Sequence, residues 1–347
     1  MTELPTIIVR ADGSSQIGLG HIMRCIGLSQ ELKQLGFQII FAMCQRLPQI
    51  ESRLSSEGFQ ISYLECIAGS CEDARLVEQL CREQHANLLI IDGYQFKSEW
   101  FDAISSVNIP KMLWTDFPQS KRLPVDIVLD QNPNAENMRY DLTSPNAVLL
   151  LGLNFTVLRS EFINCENFRH KRTELKRVLI TMGGSDPSQL TIPILQSIQQ
   201  TDLSLQVDVV VGPANNQLKK VAALAQQMPS TTVYQDLTDM SQLIKDADLA
   251  ISAAGITLWE FAFSGLPALA YAVAQNQTPN ATALENNGGG IQMEYHQTFM
   301  KGSLNLTLDT LIKNGKRIEQ MSSCMLRWID GNGRKRVAEN LLKIIDN

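Results

Sequence analysis

The chain reads as an α/β protein: two domains, each a parallel sheet with helices on both faces, facing one cleft. Three observations predict this. Short apolar runs alternate with stretches of helical periodicity along the whole length, the rhythm of βαβ units. Many of the runs end in Asp, Ser or Gly and pass through a turn into the next helical stretch. The 347 residues exceed one ordinary core, and a polar segment near the middle divides the series.

Thr6-Ile-Ile-Val9 is a buried strand, and Ile26 to Leu35 has apolar residues at helical spacing. Between them lies Asp12-Gly-Ser-Ser-Gln-Ile-Gly-Leu-Gly-His21-Ile-Met-Arg24. This glycine-rich turn puts His21 in the first turn of the helix, beside N–H groups that no helical carbonyl satisfies. Free N–H groups and the helix dipole both favour an anion there, and an imidazole in that place suggests chemistry next to a phosphate. Two plainer readings stand beside it: glycines that only allow a tight turn, and a histidine that caps a helix or lies on the surface. A nicotinamide fingerprint is disfavoured, because the third glycine it needs is replaced by Met23.

Strands follow at Phe37–Phe41, Phe59–Tyr63, Asn87–Asp92, Lys111–Asp116 and Asp126–Asp130, with helices at Ile50–Glu57 and Glu72–Gln84. Carboxyl ends of parallel strands face the ligand crevice, so Asp92, Tyr94, Asp116 and Asp130 lie on the functional edge. Asp116 and Asp130 serve equally as caps or turn formers, the plainer reading for both. Asn164 to Glu174 reads as the linker, its basic run as a solvated connector.

The second series opens with strand Arg177–Thr181 and the turn Met182-Gly-Gly-Ser-Asp186-Pro187, the proline suiting the first turn of a helix. Strands at Gln206–Val211, Thr231–Tyr234, Asp248–Ser252 and Pro267–Tyr271 alternate with helices at Asn215–Gln227, Met240–Lys245 and Ile256–Phe263. A helical C-terminus follows Gly288-Gly-Gly290. Bare N–H groups at Gly183, Gly184 and Ser185, and at the helix start after Ser252-Ala-Ala-Gly255, suit a diphosphate. Glu260, between Trp259 and Phe261, is placed to accept hydrogen bonds from ribose hydroxyls, although an exposed helix carboxylate is the usual role. Asn276 and Gln277 carry amides suited to sugar hydroxyls or N-acetyl groups, and equally to caps and turns.

Composition narrows the classes. With 44% apolar and 19% charged residues the chain is a folded protein, and a formal charge of −6 argues against nucleic acid or an acidic membrane as partner. No run nears the roughly 20 apolar residues of a membrane span, and the start Met1-Thr-Glu-Leu-Pro5 carries no secretion pattern. The seven cysteines (Cys25, Cys44, Cys66, Cys71, Cys81, Cys165 and Cys324) contain no C-x-x-C, so reduced thiols in a cytoplasmic protein are expected. His21, His85, His170 and His296 are scattered singles, and no metal or other cofactor is expected.

At Arg10 to Arg24 the chain resembles the UDP-2,4-diacetamido-2,4,6-trideoxy-β-L-altropyranose hydrolases of pseudaminic acid biosynthesis, the PseG/SpsG type. Ile90-Ile-Asp-Gly-Tyr94, Leu158-Arg-Ser-Glu-Phe162, Met182 to Asp186, Ile251 to Gly255 with Glu260, and Asn276-Gln277 are similar to further motifs of that family in the same order. The resemblance implies a GT-B fold and cleavage of a UDP-sugar by water, with release of UDP. It makes His21 the catalytic residue. It puts Tyr94 and Asn276 on the sugar, and Gly183, Ser185, Ser252, Gly255 and Glu260 on the nucleotide side. Asp12, Ser15, Gly18, Gly20, Arg24, Asp92 and Gln277 are expected on the substrate with them, and Gly184 and Thr257 on the UDP. Gly93 departs from the pattern, standing where some members carry a histidine. The domains are expected at 1–165 and 175–325, with a helix over 326–347 that packs back on the first; a monomer is favoured. A GT-B glycosyltransferase using a UDP-N-acetyl sugar and a non-catalytic UDP-sugar-binding protein are the alternatives.

Overall fold

The computed structural model describes residues 4–13, 18–201, 203–235, 237, 239–294 and 302–345. The chain divides into two compact units, residues 1–160 with 331–347, and residues 161–330.

In the first unit seven parallel strands, β1 (Thr6–Ala11), β2 (Gln38–Met43), β3 (Gln60–Tyr63), β4 (Ala86–Asp92), β5 (Lys111–Trp114), β6 (Ile127–Asp130) and β7 (Val148–Leu151), lie in the order 3-2-1-4-5-6-7. Their residues alternate between two cores, as a pleated strand covered on both faces requires. Ile7 and Val9 pack with Ile22, Ile26 and Leu28 of α1 (Gly20–Gln34), whereas Ile8 packs on the other side with Ala74 and Val77 of α3 (Cys71–Glu83) and with Trp100 of α4 (Ser98–Ala103). Between β2 and β3 runs α2 (Pro48–Ser56). The last helix of the chain, Gly333–Ile345, returns to this unit: Val337, Ala338 and Leu341 join the α1 core, and Arg334 pairs with Glu31 at 2.8 Å.

The second unit repeats the design. β8 (Arg177–Thr181), β9 (Gln206–Val211), β10 (Thr231–Gln235), β11 (Leu249–Ala253), β12 (Ala268–Tyr271) and β13 (Gly290–Met293) form a parallel sheet in the order 10-9-8-11-12-13. Relative to the first strand of each unit this is the same winding, so both halves are Rossmann-like.

Three local expectations change. The strands β7 and β13 are not among the expected ones; both are short edge strands with too few residues for a period to show. Pro187 is not in the first turn of a helix: that helix is Thr191–Gln199, and Asp186 holds its start by accepting from Leu190 N, Thr191 N and Thr191 Oγ1 at 2.7–3.0 Å. The basic run of the expected linker is not solvated throughout. Arg172 is 2% exposed and donates to the carbonyls of Ile244, Ala247 and Ser264. Arg169 donates to those of Phe263, Leu326 and Ile329. Both arginines satisfy carbonyls left over at element ends, and a lost donor at a buried carbonyl costs about 1–3 kcal/mol.

Candidate functional site

In the first sheet, strand order reverses between β1 and β4. At such a switch point the following helices go to opposite faces and leave a crevice beyond the carboxyl ends of the strands. Sequence places two chemical groups there. His21 is the second residue of α1, reached from β1, and Asp92 is the last residue of β4. Leu19, which caps α1, offers no side-chain acceptor, and no acidic residue lies in the first turn. The positive end of that helix therefore keeps its capacity for an anion.

His21 Nδ1 lies 2.6 Å from Asp92 Oδ1. Arg24, one helical turn on, donates from Nε to Asp92 Oδ2 and from Nη2 to Asp92 Oδ1, each at 2.6 Å. Asp92 is wholly buried; burial works against its charge, but Arg24 and then His21 outweigh that and hold its pKa below the ordinary carboxylate value. A carboxylate without a proton can only accept, so the short contact puts a proton on His21 Nδ1. The 3.3 Å approach of Arg24 Nη2 to the same nitrogen is then donor beside donor, brought together by the shared oxygen. In the neutral ring Nε2 is left as the acceptor, and among the described residues nothing hydrogen-bonds to it. His21 is 6% exposed. Its ring meets that of Tyr94 edge to face, with centroids 4.7 Å apart.

A second carboxylate completes the group. Asp116 Oδ1 accepts from Arg24 Nη1 at 2.7 Å and from Asn132 Nδ2 at 2.8 Å, and Asp116 Oδ2 accepts from the Tyr94 hydroxyl. Burial disfavours its charge, yet the Arg24 guanidinium and the Tyr94 bond hold its pKa far below the usual range. Burial and then Asp116 push the Tyr94 hydroxyl well above an ordinary phenol, so it remains a donor. Arg24 also stacks over Trp114, 4.9 Å from the ring. Behind this layer Asp130 accepts from Asn132 Nδ2 at 2.8 Å and from the Tyr140 hydroxyl at 2.7 Å. Burial pushes its pKa up to about 6, and among the described residues no cation pairs with it.

Thus the structure joins His21, Arg24, Asp92, Tyr94, Asp116 and Asp130 in one network, and adds Asn132, Trp114 and Tyr140. Asp116 is a hydrogen-bond hub rather than a cap, whereas Asp130 is both hub and turn former: its buried carboxylate accepts from Asn132 N, two residues on, at 2.9 Å, as the plainer reading has it, and also from Asn132 Nδ2 and the Tyr140 hydroxyl. Their signal in the sequence was the repeated acid at the end of a strand. Arg24, expected on the substrate, is 4% exposed, with Nε, Nη1 and Nη2 all engaged by Asp92 and Asp116. Asp12 is likewise turned inward: its carboxylate lies 2.6 Å from Arg10 Nη1 and accepts from Cys44 N at 2.7 Å. Gly18 and Gly20 bound the approach to α1, and Ser15 lies outside the described residues.

In the second unit the order reverses between β8 and β11, and the two expected turns lie at the ends of those strands. The Gly183–Ser185 turn packs backbone to backbone on the next loop. A Cβ on Gly212 would come within 2.5 Å of Gly183 O and Gly184 Cα, and Ala214 N donates to Gly184 O at 2.9 Å. Ser252 is buried at the end of β11, and Gly255 leads into the helix Thr257–Ser264. Glu260 is in the first turn of that helix and 4% exposed, so its carboxylate is not the surface group a helix usually carries. Gln277 Oε1 accepts from Val273 N at 3.1 Å, and its Nε2 lies 3.7 Å from where a Cβ on Gly255 would stand, which ties the 274–277 segment to this turn. Asn276 is exposed.

Residues 178–341 match the Glycosyltransferase family 28 C-terminal domain. An uncharacterized protein of Methanocaldococcus jannaschii is 27% identical over 75% of this chain, which spans 54% of the length of that relative. The UDP-2,4-diacetamido-2,4,6-trideoxy-beta-L-altropyranose hydrolase of Campylobacter jejuni is 25% identical, over 83% of this chain and 99% of that one. The chain thus resembles a UDP-sugar hydrolase over most of its length. The fold is also that of the crystal structure of Acinetobacter baumannii MurG, with a TM-score of 0.69 and 17% identity over 98% of this chain and 100% of that one. The architecture is thus GT-B-like, with two parallel-sheet Rossmann-like halves.

At Gly93, the departure from that resemblance, the backbone takes a conformation that L side chains rarely adopt. Its φ is +155°, and a Cβ there would meet the Gln95 side-chain amide at 2.5 Å. Gln95 occupies the space that a side chain at position 93 would enter. Among the described residues no helix is long and apolar enough to cross a membrane.

Proposed function

We propose that this protein hydrolyses a UDP-linked 2,4-diacetamido-2,4,6-trideoxy sugar to the free sugar and UDP, without a metal or other cofactor. The observation that carries the reading is the His21–Asp92 pair, with Nδ1 committed to the carboxylate at 2.6 Å and Nε2 left as the ring's acceptor.

In the proposed reaction a water gives one proton to His21 Nε2 while its oxygen bonds to the anomeric carbon. The bond from that carbon to the diphosphate oxygen breaks, and UDP departs with the electron pair. Asp92 holds the tautomer and stabilises the imidazolium as it forms, the orienting role a carboxylate plays beside any histidine base. Arg24 and Asp116 position Asp92 and Tyr94. UDP is already a good leaving group, so the remaining demand is for donors to the charge growing on the diphosphate. That part is assigned to the N–H groups at Gly183, Gly184 and Ser185 and at the helix start around Gly255 and Thr257, with Ser252 beside them and Glu260 on the ribose. Asn276, Gln277 and Tyr94 are assigned to the sugar, in the pathway that makes pseudaminic acid or a related nonulosonic acid.

The match of residues 178–341 to the Glycosyltransferase family 28 C-terminal domain supports a second reading, transfer to an acceptor on the same scaffold. A time course by NMR with the UDP-diacetamido sugar and water alone separates the two. Hydrolysis gives equal amounts of free sugar and UDP; a transferase gives little of either. His21→Asn is expected to lose about 10²–10⁴-fold in kcat, the usual worth of a general base, while UDP still binds. Near-normal turnover in that variant would remove His21 from the role.

A further inference from the structure

We propose that Cys44 and Cys66 form a reversible disulfide, making the ends of β2 and β3 a thiol–disulfide modification site of the first unit. The two are distant from a C-x-x-C pattern, and tertiary structure brings them together. β2 and β3 are adjacent parallel strands, with Met43 in register with Tyr63. Cys44 follows the first strand directly. After the second, the chain turns back on itself, Cys66 N donating to Leu64 O at 3.0 Å, a three-residue turn. That turn sets Cys66 Sγ 3.5 Å from Cys44 Sγ. A disulfide needs about 2.05 Å between sulfurs, so the remaining approach is a small rotation of two side chains. Both residues are half-buried, unlike Cys25 and Cys81, which are buried.

The Asp73 carboxylate lies within 4.8 Å of both sulfurs, a spacing that also fits a metal ion. Local charge decides between the two chemistries. Arg10 donates from Nε and Nη2 to the two oxygens of Asp73, at 2.8 and 2.9 Å, and from Nη2 to Cys44 Sγ at 3.0 Å. Gly69 N holds Asp73 Oδ2 at 2.6 Å. The carboxylate is therefore spent, and a buried guanidinium stands where a divalent cation would have to sit. The same guanidinium favours a thiolate at Cys44, the form that attacks in exchange. Burial works the other way and raises the pKa of both thiols, so exchange is slow at neutral pH and quickens as pH rises.

The oxidant is a low-molecular-weight disulfide such as oxidised glutathione. One protein thiolate attacks it, forming a mixed disulfide and releasing one glutathione thiol. The second protein thiolate then attacks the protein sulfur of that mixed disulfide and releases the other. Two protein thiols lose their protons and two electrons, and one external disulfide becomes two thiols.

The test uses the full chain in glutathione redox buffers near pH 8, quenched with acid, alkylated and weighed by mass spectrometry. The expected product has lost two alkylatable thiols and about 2 Da, one hydrogen from each of two thiols, carries a peptide cross-link between Cys44 and Cys66, and reverts fully with dithiothreitol. Cys71→Ser, which removes the exposed thiol nearest in sequence, is expected to leave the link unchanged, while Cys66→Ser stops at a mixed disulfide or does not react. A Cys66–Cys71 link, or glutathione adducts in the wild type that never resolve, overturns the proposal. So does stoichiometric Co(II) binding to the reduced protein with a thiolate charge-transfer band that Asp73→Asn abolishes, because that outcome makes the cluster a metal site.

Discussion

Replacing Asp92 by asparagine tests the proposed chemistry at its most loaded point. Three contacts of 2.6 Å converge on the two oxygens of this carboxylate, one from His21 and two from Arg24. Asparagine keeps the shape but has one acceptor and gains a donor. Its oxygen can serve one of the two partners, and its NH2 group must face the other. If it faces His21, the ring proton moves from Nδ1 to Nε2, and the lone pair that accepts the water proton is gone. The expected loss in kcat is about 10²–10⁴-fold, equal to roughly 3–5 kcal/mol of barrier. Folding should suffer less than the 3–5 kcal/mol that an orphaned buried charge costs, because Arg24 keeps Asp116 at 2.7 Å. The assays are single-turnover release of UDP, UDP titration by calorimetry, and urea unfolding. UDP affinity should hold within about threefold, since no nucleotide contact is assigned to Asp92, and the double variant with His21→Asn should lose hardly more than either single one, as for residues that act as a unit. Near-wild-type turnover in a folded Asp92→Asn protein, or additive losses in the double variant, would refute the reasoning.

Four further outcomes follow from the same geometry. Asp130 carries a pKa of about 6 in the folded protein against about 3.9 for an ordinary aspartate, so the folded state binds more protons and stability falls as pH rises from about 4 to 6, by roughly 3 kcal/mol at most; urea midpoints should show that slope in the wild type and lose it in Asp130→Asn. Asp92 and Asp116 are depressed instead, so their contribution is complete above the unfolded carboxylate value near 3.9 and is lost as pH falls below it, a separate acid limb that unfolding followed by circular dichroism should resolve. Gly212→Ala forces its Cβ within 2.5 Å of the Gly183–Gly184 backbone, and UDP binding measured by calorimetry should weaken at least tenfold, about 1.4 kcal/mol, with His21 untouched. Turnover should survive dialysis against EDTA, and a loss restored by added metal would contradict the cofactor-free mechanism.

The elements were readable where side-chain periodicity was long enough to act as a signal. The run Thr6–Val9, the glycine turn and α1 announce a βα junction, because burial on both faces and a helix start each leave a local pattern. The repeated acid at the ends of β4 and β6 was visible too. What each acid does was not. Asp116 looks like a cap in one dimension, and Arg172 looks like a solvated linker residue, because their partners lie far from them in sequence. His21 and Asp92 are 71 residues apart, and Asn132 reaches Asp116 across 16.

By itself, then, the order of residues determined the α/β alternation, the two-part organisation and the histidine at a helix start, since these follow from short-range burial and turn chemistry. The winding of the sheets decided the rest. Reversal of strand order beside β1 brings the ends of β1 and β4 together, and only there do a ring nitrogen, a guanidinium and two carboxylates come close enough for one proton to be fixed on one atom.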